Sequence, residues 1–314
     1  MRQIIVCVEK MCYNHIVYMF IAEVNLMTDG LIFPSAADRT AVKYTVISAD
    51  GRYAFSFGTV RVRSVLTVIA SLTDFTTREK LVFREPSRVS AKVMGTFTAS
   101  DTQLTYTSDY CDFRVSSTDF GVHLDCVYKK CFFHSEMEAH ADVYSSAYVY
   151  GAGDTRVNLC CPFSGQVKVC GREYIFDRQN DLCTALKTSG GDFHSHTGTR
   201  IYACGYAEED TFGLYLADGE GICVLGGGEF PLREASILIP ADAMSKWTVR
   251  SDGDAVKAEL VPFFNDRTDR GHFSSSRYSD GLYCSLKGAL SPSSGLCAQL
   301  DGMTAFCEYT HKKF

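Results

Sequence analysis

Apolar and polar residues alternate with a period of two through most of this chain, the spacing of strands that bury one face of a sheet. In RVSAKVMGTFTA, Val89, Ala91 and Val93 take one face and Ser90, Lys92 and Met94 the other. FGVHLDCVYK repeats the pattern, with Val122, Leu124, Cys126 and Tyr128 in one row and His123 and Asp125 opposite. VKAELVPF sets Val256, Ala258 and Leu260 in a row, and QVKVCGREYIF reads as two short strands with Gly171 in the turn between them. Strand segments recur every ~8 to 12 residues, the spacing of sandwiches and barrels. The wealth of Thr, Val, Tyr and Phe suits pleated surfaces, and no amphipathic run longer than about ten residues argues for a helix. The expected fold is therefore all-β.

At 314 residues, with roughly 150 per domain, the chain is long enough for about two domains. Gly151-Ala152-Gly153-Asp154 follows a strand-like stretch ending in AYVY, and it is the expected boundary: residues 1–150 in one unit and 151–314 in the next. A formal charge of -6 without a basic block argues against nucleic acid as a partner. The 14 cysteines are too dispersed for a disulfide scaffold. Cys126, Cys204, Cys223 and Cys284 stand in apolar strand-like runs and read as buried thiols, which points to a reducing, cytoplasmic location. Glu9, Lys10, Asn14 and His15 interrupt the apolar start, so it does not read as an export signal. No segment reaches the ~18 to 20 apolar residues of a membrane span. A soluble protein is expected, without a cofactor and with an oligomeric state left open.

From about Val157 onward the order of features resembles a bacterial family catalogued as domain of unknown function 2804. The carrying segments are PFSGQVKVCGREYIFD (Pro162 to Asp177), FGLYLADGEG (Phe212 to Gly221) and WTVRSDGDAVKAELVPF (Trp247 to Phe263). Gly281, Tyr283, Gly295, Gly302 and Glu308 complete the match, and Tyr53 to Phe83 is similar more loosely. The resemblance implies two tandem lipocalin-like antiparallel β-barrels, distantly akin to the carotenoid hydratase hydroxyneurosporene synthase. It implies no chemistry, because a fold does not carry an activity. The chain also departs from the family. Where a Leu-Asp-Trp-Gly-Arg-Gly-like segment is usual, it reads Ala185-Leu186-Lys187-Thr188-Ser189-Gly190-Gly191, without the acid, the indole or the guanidinium.

Asp192, His194 and His196 in GGDFHSHTG form the best local cluster for catalysis, since a strand would place both imidazoles on one face. The same histidine pair suits a divalent metal given a third ligand, but no glutamate follows in the cupin manner, and solvated loop histidines are the plainer reading. Gly226 to Gly228 lack the lysine of a phosphate cradle and read as a hairpin turn. Tyr106, Tyr128, Tyr202, Tyr206 and Tyr215 are candidates for the wall of an amphipathic cavity, each with an apolar ring and a polar tip. Trp247, the only tryptophan, is expected to pack against the second barrel and is a further ligand-binding candidate.

Three functions fit these features. The first is binding of an apolar or amphipathic small molecule in or between β-barrels. The second is a hydratase- or lyase-like enzyme acting on an apolar unsaturated substrate, which needs Asp192, His194 or His196 to meet a second buried polar group. The third is a degenerate family member with a structural role.

Overall fold

The computed structural model describes residues 39–312 apart from 63–64, 89–94, 99–101, 107–109, 118–119, 125–126, 132–133, 147, 153–154, 190–198, 208–209, 218, 267–276 and 294. Among these residues the chain is almost wholly strand, with a single 3-10 turn at Asp252–Asp254. The all-β expectation holds.

The first sheet contains fourteen strands. They are β1 (Arg39–Ile47), β2 (Tyr53–Val62), β3 (Val65–Asp74), β4 (Glu79–Arg88), β5 (Gly95–Thr98), β6 (Thr102–Tyr106) and β7 (Tyr110–Ser117). There follow β8 (Phe120–Leu124), β9 (Val127–Cys131), β10 (Ser135–Asp142), β11 (Tyr148–Ala152), β12 (Thr155–Val169), β13 (Arg172–Phe176) and β14 (Leu182–Ser189). The spatial order β5-β6-β7-β10-β12-β14-β1-β2-β3-β4-β8-β9 makes a nearly closed barrel. Its closure depends on β12. The first half of β12 pairs with β11 and β14, the second with β10 and β13, and the register breaks between Asn158 and Cys161. Cys160 sits at φ 57 in that break, and such a bulge bends one strand enough to serve two walls.

The second sheet holds β15 (Thr199–Ala207), β16 (Asp210–Ala217), β17 (Gly219–Leu225), β18 (Gly228–Leu238) and β19 (Trp247–Arg250). It continues with β20 (Val256–Asn265), β21 (Arg277–Ser293), β22 (Leu296–Gln299) and β23 (Thr304–Lys312). Pairing runs from β15 through β20 to β21, then through β23 back to β15, so eight strands close a barrel and β22 hangs on β21.

The sheets divide after Ser189 rather than at residue 150. Ala152 pairs with Thr155, so the glycine-rich stretch expected as a boundary joins two strands of one sheet. Gly and Asp serve a tight hairpin as well as a linker, and composition alone does not separate the two. A second correction concerns FGVHLDCVYK. The alternation from Val122 to Tyr128 is not one strand, because Leu124 of β8 pairs with Val127 of β9 in a hairpin. Other readings match: Val256, Ala258 and Leu260 form a buried row. Cys170 and Gly171, at φ 50 and 74, turn β12 into β13, and Gly226 and Gly227, at φ 57 and 73, turn β17 into β18. Val89 to Met94 lie outside the described residues.

Among the described residues, apolar side chains pack into both interiors. In the first barrel Phe57 stacks on Phe113 at 5.2 Å and on Tyr44 at 4.8 Å, with Phe55, Phe163 and Phe176 around them. In the second, Trp247 shares a core with Leu214, Leu216, Cys223, Leu260 and Leu286, and the indole Nε1–H donates to the Ala243 carbonyl at 2.8 Å. The described cysteines are free thiols, with Cys223 and Cys284 fully buried and Cys204 part-buried, and Cys126 lies outside the description. No helix among the described residues is long and apolar enough to cross a membrane.

Candidate functional site

Alternation gives each barrel an outer face as well as a core, and part of each outer face meets the other. On β1, Val42, Tyr44 and Val46 point into the first core, which sends Lys43, Thr45 and Ile47 outward. On β15 and β23, Ile201, Ala203, Ala305 and Cys307 fill the second core, leaving Arg200, Tyr202, Cys204, Phe306 and Glu308 outside. The two outer faces join in a third apolar cluster that includes Ala54, Val157, Leu182, Tyr202, Tyr215, Tyr283 and Phe306. The Cys160 thiol donates to the Phe212 carbonyl at 3.2 Å across this seam. Gly213 makes that possible, because a Cβ there would stand 2.7 Å from the Cys160 sulfur.

Polar groups converge within the seam. Lys43 Nζ lies 2.7 Å from Glu308 Oε1 and 4.3 Å from the centre of the Phe306 ring. The buried Tyr202 phenol donates to the other carboxylate oxygen of Glu308, and Arg200 stands directly opposite Glu308 in the β15–β23 ladder. Burial works to raise the Glu308 carboxyl, but the Lys43 ammonium, the bonds from Lys43 and Tyr202, and the Arg200 charge outweigh it. The group is held below the ordinary carboxylate range and is ionised at neutral pH. Burial, reinforced by the neighbouring Glu308, pushes the Tyr202 phenol well up, so it stays a neutral donor. The cluster therefore presents one carboxylate, two cations and one phenol at the edge of an aromatic floor. Lys43 and Glu308 side chains remain 35% and 26% exposed, so solvent-borne molecules reach them.

Deeper in, Phe306 stacks on Tyr202, and Tyr202 on Tyr215, each with ring centroids 6.0 Å apart. Between the Phe306 and Tyr202 rings and Thr45, Thr184 and Cys204 is a cavity of about 10 Å³, room for one water with polar partners. Farther along the seam Phe75 packs against Phe263, Phe264 and Tyr283, and Lys80 of the first barrel pairs with Asp266 of the second. A larger cleft of about 360 Å³ lies on the surface at Glu234, Ser236, Ser251, Gly253 and Asp254, but it is open and polar and touches neither core nor seam.

The candidates from the sequence fall in different places. Tyr202 and Tyr215 are in the seam, 5% and 3% exposed. Tyr206 is exposed, and Trp247 belongs to the second core, where its ring meets Tyr309 edge-on at 5.4 Å. Asp192, His194, His196 and Asp125 lie outside the described residues, as do the side chains of Tyr106, His123 and Tyr128. Among the described residues no group of three or more His, Cys, Asp or Glu is placed to hold a metal ion. Sequence reasoning missed Lys43, Arg200 and Phe306, and it noted Glu308 only as a shared position. The available signal was a lone charge on the outer row of an otherwise apolar strand, in AVKYTVI and AFCEYT.

No family model and no curated protein matches the chain. Solved structures do resemble it. Kievitone hydratase from Nectria haematococca superposes with a TM-score of 0.54 at 9% identity, over 90% of this chain and 93% of that one. An AttH candidate from Nitrosomonas europaea superposes with a TM-score of 0.51 at 10% identity, over 90% and 97%. At such identity the likeness is one of fold, over nearly the full length of each chain.

Proposed function

We propose that the protein binds an apolar or amphipathic small molecule between its two barrels. The observation that carries this reading is the partly exposed Lys43–Glu308 pair, backed by Tyr202 and Phe306, at the junction of two barrels whose described side chains pack into their own interiors. Polar groups converging on an aromatic surface are the usual composition of a small-molecule site. The fold shared with a hydratase supports the same reading by analogy.

Hydration of an unsaturated substrate is the second reading. It is favoured by a phenol hydrogen-bonded to an ionised carboxylate, a donor and an acceptor of protons in contact.

Titration with the neutral fluorescent probe phenylnaphthylamine tests the first reading. Saturable binding is expected, weakened about five- to tenfold by Phe306→Leu in the seam and changed less than about twofold by Phe57→Leu inside the first barrel. The opposite ranking would place the ligand in a barrel interior and refute the proposal.

A further inference from the structure

The seam cluster brings opposite charges together. Lys43 and Arg200 supply two positive charges around the single carboxylate of Glu308. Glu220, the other carboxylate acting on this part of the seam, is exposed on β17 and acts on Tyr215. Among the described residues Lys43 is held by groups of the second barrel, with its ammonium bonded to Glu308 and resting over Phe306. On its own sheet Lys43 stands between Gly58 of β2 and Leu186 of β14, neither of which has a side-chain group to bond its ammonium. Gly281, opposite Glu308, leaves space that the Phe306 ring occupies, since a Cβ there would stand 2.9 Å from that ring. The cation is thus reachable from solvent, covers the face of the otherwise buried Phe306 ring, and is neutralised by an internal carboxylate that a second donor, Tyr202, is able to keep satisfied.

Resting on the seam reading above, we propose that the ligand bears one anionic oxygen, as a carboxylate, enolate, phenolate or sulfonate, on an apolar body, and that this oxygen takes Lys43 from Glu308. Glu308 is then an internal counterion that occupies the cation in the free protein. Its carboxylate keeps the Tyr202 hydrogen bond and the Arg200 charge when Lys43 turns to the ligand, so no buried group is left unpaired. Removing Glu308 therefore strengthens anion binding, whereas a purely structural clamp loses by the same change.

Two fluorescent probes with one anilinonaphthalene body test this: phenylnaphthylamine, which is neutral, and anilinonaphthalene sulfonate, which is anionic. The wild type is expected to prefer the sulfonate by about tenfold at low salt, the size of one partly solvated charge contact. The preference falls to near unity in Lys43→Met, is retained in Lys43→Arg, and rises several-fold in Glu308→Gln, with circular dichroism confirming that each variant is folded. Equal affinity for the two probes in the wild type, a preference unmoved by Lys43→Met, or a fall in Glu308→Gln overturns the anion proposal while phenylnaphthylamine binding leaves the seam reading standing. Failure of both probes to bind overturns both.

Discussion

Phe306→Ala separates the unfolding of the two barrels. The ring is 2% exposed, stacks on Tyr202 at 6.0 Å, meets Tyr283 at 4.8 Å and carries the Lys43 ammonium at 4.3 Å. Truncating a buried phenylalanine to alanine costs about 3 to 5 kcal/mol, and the cation over its face adds about 0.5 to 1 kcal/mol at a partly exposed site. Phe306 points away from the second core, so the loss falls on the coupling between barrels and leaves both interiors intact. The assay uses the single tryptophan: Trp247 is buried in the second barrel, so its fluorescence in urea follows that barrel alone, while far-ultraviolet circular dichroism follows all strands. In the wild type the two signals are expected to coincide, as cooperative unfolding requires. In Phe306→Ala they separate, with circular dichroism losing amplitude before tryptophan fluorescence changes, because the first sheet ends in open edges at β5 and β9. Phe57→Ala, a deletion of equal size inside the first core, shifts both signals together because the seam still couples them. Coincident midpoints in Phe306→Ala, with a loss below about 1 kcal/mol, would refute this reasoning.

Further expectations follow from single positions. A Cβ on Gly58 would stand 2.0 Å from the Val42 carbonyl oxygen, so Gly58→Ala is expected to abolish folding or lower stability by more than about 3 kcal/mol, while Gly205→Ala, with open space around it, stays within about 1 kcal/mol; urea denaturation compares them. Glu308 titrates below its ordinary value, so its contribution is present above the unfolded-state pKa of about 4.3 and is lost as pH falls through the lowered folded value. The melting-temperature gap between wild type and Glu308→Gln should accordingly be widest near neutrality and close in acid; a gap that widens in acid contradicts the assigned sign. In native alkylation followed by peptide mapping, Cys170 and Cys297 should react well ahead of Cys223, Cys284 and Cys307, and the reverse order would mean that the second core is open.

Much of the architecture was legible because alternation is a local property. Val256, Ala258 and Leu260 announce a buried face whichever strands lie beside them, and Gly171 and Gly227 mark turns that need a positive φ. What stayed hidden depends on partners far away in sequence. Whether the chain on either side of Gly151 belongs to two units or to one sheet is decided by the pairing of β11 with β12, and the end of β8 by its pairing with β9. The site was less legible still. Lys43 and Glu308 are 265 positions apart, and each alone looks like an ordinary solvated charge on a strand's outer face. Tyr202 and Tyr215 were found because aromatic residues with a polar tip suit a boundary, but the same reasoning also selected Tyr206, which is exposed.

Hydrogen–deuterium exchange with and without saturating phenylnaphthylamine tests most directly where the ligand sits. Slower exchange is predicted in residues 39–47, 199–207 and 304–312, the three strands that supply Lys43, Tyr202, Phe306 and Glu308. Slowing confined to β7 and β10, or to β17 through β19, would place the ligand away from the seam and contradict the account.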